Sequence, residues 1–111
     1  MMENIDNMAR IEREIEKRME AACEKNGWSV AVAMMPPETT TLHIEKFGEK
    51  PIAGEDAQAA LDSAVAFAKA EFGTEATVER LEEKIPNNRS PYHVTFLVSV
   101  DASKRVKELA A

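Results

Sequence analysis

Cysteine occurs once in the chain, at Cys23. No disulfide can close within it, so a domain of this size must be held by packing alone, which suits a reducing compartment. Tryptophan and tyrosine also occur once each, beside four phenylalanines. So few aromatic rings cannot build a stacking platform for single-stranded nucleic acid. Only four glycines are present, and none is grouped into a phosphate-cradling loop or set around a serine as a nucleophile turn, so nucleotide-binding and hydrolase readings have no anchor. The longest apolar run, Val30 to Met35, is far below membrane-spanning length. The opening MMENIDNMARIEREIEKRM is charged throughout and carries no signal-peptide core, so a cytoplasmic location is expected. Asn88-Arg89-Ser90 matches a glycosylation acceptor, which has no meaning without a secretory route.

What is present is an ordinary globular balance: 44% hydrophobic and 31% charged residues in 111 positions. A chain of this length hides roughly 65% of its unfolded surface on folding, enough for one core, and a single domain over residues 1–111 is expected. The net charge of −6 is unevenly spread. Residues 1–48 hold nine acids against six bases, residues 49–83 nine against three, and residues 84–111 two against five. An acidic middle argues against direct nucleic-acid binding, which needs a clustered basic footprint, and is compatible with a basic protein partner.

Apolar residues Met8, Ile11, Ile15, Met19 and Ala22 recur at helical spacing, with Cys23 at the border of their stripe, and predict a helix over 5–26 stopped by Asn26-Gly27. Trp28 to Met35 alternates and is closed by Pro36-Pro37. Thr39 to Phe47 alternates again, so 28–35 and 39–47 are expected to form a hairpin. A second helix, 55–72, follows from Ala57, Ala60, Leu61, Ala64, Val65, Ala68 and Phe72. Its alanines leave a thin face that can approach a sheet closely. Residues 76–85 fit either period. The strand reading is preferred because 92–100 alternates strongly after the turn cluster PNNRSP and needs a neighbour. Asp101-Ala102-Ser103 opens a short basic helix over 102–110. The order α-β-β-α-β-β-α predicts an α+β two-layer sandwich, a four-stranded antiparallel sheet with helices mainly on one face.

Several residues could carry chemistry. His43, His93 and Glu45 could share a surface and serve a metal, a small ligand or a small enzyme site between sheet and helices. The histidines lack metal-ligand spacing, however, so solvated or interface histidines are preferred and no metal, catalytic residue or cofactor is assigned. Cys23 beside an apolar stripe is read as an inert packing thiol.

The most informative pattern is the second face of the sheet. If helices cover Val30, Val32, Leu42, Ile44, Phe96 and Val98, then Ala31, Ala33, Met35, His43, Phe47, Thr95 and Leu97 fall on the other side, which is too apolar for a fully wetted face. Either the first helix folds over it or another chain does. The expectation is a non-catalytic interaction protein, such as an adaptor, small chaperone or inhibitor, and a homodimer. Its partner-binding residues are Ala31, Ala33, Met35, His43, Phe47 and Leu97, with Glu79, Glu82 and Glu83 steering it to a basic protein. One form of this would occupy a nucleic-acid-binding groove with the acidic series Glu55, Asp56, Asp62, Glu71, Glu75, Glu79, Glu82 and Glu83. A solubilising surface accounts for the same acids and weighs more heavily.

Overall fold

The computed structural model describes residues 2–34, 36–73 and 75–110, with side chains from Asn7 onward. Three helices, α1 (Met2–Cys23), α2 (Gly54–Phe72) and α3 (Ser103–Ala110), accompany four strands, β1 (Ser29–Ala33), β2 (Thr40–Gly48), β3 (Thr77–Lys84) and β4 (Tyr92–Val100). The fold is α+β, with one antiparallel sheet in the order β1-β2-β4-β3. The two long strands β2 and β4 therefore sit side by side in the middle, and β1 and β3 form the edges.

The apolar row of α1 buries Ile11, Ile15 and Met19. The row continues at i,i+4 to Cys23, which is buried as the packing reading expects, while Ala22, counted in the stripe from sequence, is exposed. The last turn of α1 faces the start of α2, and Cys23 shares a shallow hollow there with Trp28, Asp56 and Ala60. Burial pushes the Cys23 thiol up, with Lys25 acting weakly the other way, so the sulfur is a packing group. The helix ends three residues before the expected Asn26. Asn26 and Gly27, at φ 56° and 85°, instead form the left-handed turn that feeds β1. Met35 falls outside the described residues, and β1 is shorter than the expected 28–35.

Ala57, Ala60, Ala64 and Ala68 of α2 are buried, and Phe67 and Phe72 supply its bulk. Gly73, at φ 65°, closes the helix with its N–H on the Lys69 carbonyl at 2.9 Å. Register places Val32, Leu42, Ile44, Val94, Phe96, Val98 and Val100 on one sheet face. All of them are buried in one core with α1 and α2. Both long helices therefore lie on the same side, and among the described residues no helix lies on the opposite side. A single turn of 3-10 helix at Pro37–Thr39 anchors the start of α3, because the Pro37 carbonyl accepts from Ala102 N and from Thr40 Oγ1, both at 2.9 Å. The preferred strand reading of 76–85 holds over Thr77–Lys84, where β4 offers a full ladder and all eight residues are exposed.

A helix-free sheet face with a histidine clamp

The strand register assembles the uncovered face row by row. Ser29, Glu45, Thr95 and Leu81 make one row, Ala31, His43, Leu97 and Glu79 the next, and Ala33, Thr41, Ser99 and Thr77 the third. Phe47, His93 and Glu83 make a partial fourth row. Ala31, Ala33, Phe47, His43 and Leu97 thus stand together on the face that sequence reasoning assigned to them. Ala31 and Ala33 are exposed, and His43 and Leu97 are half-buried. Phe47 is 45% and Leu81 47% exposed, both large for an apolar side chain. Leu81 went unnoticed in the sequence because the period of 76–85 did not settle which side it takes. No lysine or arginine belongs to any of these rows, whereas Glu45, Glu79 and Glu83 do.

At the end of this face His93 is clamped. Its Nδ1 lies 3.1 Å from Glu83 Oε1, and its Nε2 lies 2.9 Å from both Glu45 Oε2 and Thr95 Oγ1. Phe47 stacks on the ring with centroids 4.1 Å apart and planes 7° from parallel. With carboxylates on both ring nitrogens, each nitrogen is best satisfied as an N–H donor, which is the imidazolium. Burial of the ring opposes that charge, but hydrogen bonds to Glu45 and Glu83, and their negative charges, outweigh it and raise the His93 pKa above 6.5. The Phe47 ring covers one face of the imidazole.

This geometry separates the residues of the sequence-level ligand site. Glu45 and His93 meet, but His43 stands two rows further along the same face, opposite Leu97 and Ala31. Four residues of strand, about 13 Å, separate His43 from the position opposite His93. The two carboxylates lie on opposite edges of the His93 ring and cannot converge with one ring nitrogen on a single ion. Among the described residues, no group of three or more His, Cys, Asp or Glu side chains is arranged to hold a metal.

The acidic series does not act as one stripe. Asp56 receives Lys46 Nζ at 2.6 Å and Trp28 Nε1 at 3.0 Å, and Glu71 receives Arg18 Nη1 at 2.7 Å and Arg105 Nε at 3.1 Å. Both are structural ties: the first joins β1 and β2 to the opening turn of α2, and the second joins all three helices. Glu79 and Glu83 remain on the open face. Glu82 alternates to the opposite side of β3, next to Arg80 at 3.3 Å. Among the described residues no helix is long and apolar enough to cross a membrane. No protein-family model, curated protein or solved structure matches the chain.

Proposed function

We propose that the chain is a non-catalytic protein–protein interaction module, and that the helix-free face of its sheet receives a protein partner presenting apolar and basic side chains. The observation that carries this is the composition of that face. Ala31, Ala33, Leu97, Phe47 and Leu81 give it apolar side chains, and Glu45, Glu79 and Glu83 exceed its one clamped cation, His93, with no Lys or Arg beside them. An antiparallel face left to water is ordinarily polar along its length, and interface cores are apolar with a charged surround. The carboxylates favour a basic partner by long-range attraction, which acts chiefly on the rate of encounter. An adaptor, a small chaperone and an inhibitor of a basic, nucleic-acid-binding protein all use such a surface.

The test is affinity capture from the native host with the wild-type chain, Ala33→Glu and the pair Glu79→Lys/Glu83→Lys as baits. All three substituted positions are exposed strand residues, and because Glu83→Lys also removes one arm of the His93 clamp, circular dichroism of each bait checks that the fold is kept. Proteins held by the wild type and lost from both variants support the reading. The same set retained by all three baits overturns it.

A further inference from the structure

The two edges of the sheet are treated differently. At β1 the outward N–H groups of Val30 and Met34 are met by carboxylates of the α1 side: Glu24 Oε1 at 3.3 Å and Glu12 Oε2 at 3.0 Å. This edge is short and blocked. At β3, Ile85 N donates to Pro91 O at 2.7 Å, which sets the phase of the β3–β4 ladder. Odd-numbered residues 77–83 face β4, and the backbone groups of Val78, Arg80, Glu82 and Lys84 point outward. No described residue pairs with them, and all eight residues of β3 are exposed on both faces. An open edge of this length is a template for another strand.

We propose that the occupant of this edge is the β3 strand of a second copy of this chain, antiparallel about a two-fold axis through Leu81, joining the sheets of two protomers into one. This rests on the reading of the chain as an interaction module and names its first partner. Two-fold pairing requires outward-facing residues to meet, so the axis must pass through a residue of β3, and only axes at Arg80 or Leu81 pair most of the strand. At Arg80, the guanidinium would face its own copy, and Val78 would face Glu82. At Leu81, Arg80 lies opposite the partner copy's Glu82 and Glu82 opposite its Arg80. The contact already present along each strand, Arg80 Nη2 to Glu82 Oε2 at 3.3 Å, then closes a ring of four alternating charges. The two Leu81 side chains, each 47% exposed in one protomer, meet at the centre in a pair without mutual hydrogen bonds, where side chains approach closest. Val78, 45% exposed, lies against the stem of Lys84. The remaining pairing sets Glu79 against Glu83, a like-charge opposition that the His93 ring beside each Glu83, at 3.1 Å, offsets in part, and four carboxylates gather at the seam on the open face, the same side that is proposed to take a basic partner.

The experiment is oxidative cross-linking combined with sedimentation of the full chain. Leu81→Cys should give a disulfide-linked dimer, because facing residues of such a pair lie about 4.5 Å apart at Cα, within reach of a disulfide. Glu79→Cys should not, its two copies being about 13 Å apart. Glu82→Arg alone should weaken the dimer about tenfold, and Arg80→Glu/Glu82→Arg should restore it. Circular dichroism of each variant guards against loss of fold. A protomer that stays monomeric into the high micromolar range, a Leu81→Cys yield no greater than that of Glu79→Cys, or a charge swap that fails to restore what Glu82→Arg removes would each overturn the inference. Glu82→Pro keeps this failure distinct from that of the interaction module. It removes an outward N–H that β4 does not use and should abolish only edge pairing. If capture through the open face survives with a monomer, the edge pairing alone falls.

Discussion

Asp56 shows how one side chain can couple three elements. Its two oxygens take Lys46 from β2 and the indole N–H of Trp28 from the entrance to β1, while it sits in the first turn of α2, where the helix dipole favours a negative charge. Asp56→Ala should destabilise the fold by about 1–3 kcal/mol, because it leaves a partly buried indole N–H and an ammonium without their acceptor. Urea unfolding followed by Trp28 fluorescence measures this directly. The hydrogen bonds from Lys46 and then Trp28 hold the Asp56 carboxyl below its ordinary 3.8. Its contribution is therefore present above that value and lost as pH falls through the lower folded one. His93 runs the other way. Its pKa is raised on folding, so the clamp contributes fully below about pH 6.5 and is lost as pH rises through the folded value. The wild type should lose stability between mildly acidic and mildly alkaline pH by an amount that His93→Gln abolishes, seen as converging denaturation midpoints at high pH. Strand alternation put Glu45 and His93 on one surface, and the structure brings them into contact; the Lys46–Asp56 tie across a loop and the Glu83 arm of the clamp had no signal in the sequence.

At the scale of elements, α2 depends on smallness. Ala57, Ala60, Ala64 and Ala68 let its axis lie close to the sheet, and a larger side chain there has no space to enter. Ala64→Leu should cost about 1–3 kcal/mol through overpacking, although leucine is a good helix former, and the urea midpoint reports it. Gly73→Ala should cost about 1 kcal/mol for a different reason. Space is open around Gly73, but its φ of 65° is strained for any residue with a Cβ. Helix α2 and strand β4 were readable because their apolar periods run long and unbroken. Strand β3 was read correctly only through the need of β4 for a neighbour, because Val78 and Leu81 sit three apart among glutamates, a spacing that suits a helix. In the fold neither is a core residue; they lie on opposite faces of an edge strand that no helix covers. Where burial does not select the side chains, period carries no information about the element.

For the whole molecule, the decisive asymmetry is that α1 and α2 share one face of a four-stranded sheet. The alternative expectation, that α1 folds over the second face, is excluded by the placement of Ile11, Ile15 and Met19 in the same core as Ala64 and Phe96. The face left without a helix is then both apolar and acidic. Reversing Glu79 and Glu83 to lysine should slow association with a basic partner and flatten its dependence on ionic strength, because screened attraction acts on encounter. Stopped-flow rates across a salt series show this. Equal slopes for wild type and variant would remove electrostatic steering from the account.

The sequence by itself determined which side chains share a face. Alternation in β2 and β4 and the helical period in α1 and α2 are local properties, set by backbone geometry that every residue carries with it. It therefore contained the fold class, most of the core and the apolar composition of the open face. Tertiary structure alone decided the strand order, which edge is blocked by Glu12 and Glu24, and which carboxylates are free to meet a partner. These depend on distances between residues far apart in the chain, and a charge on a helix or strand has no assigned role until packing sets another charge, a ring or open water beside it.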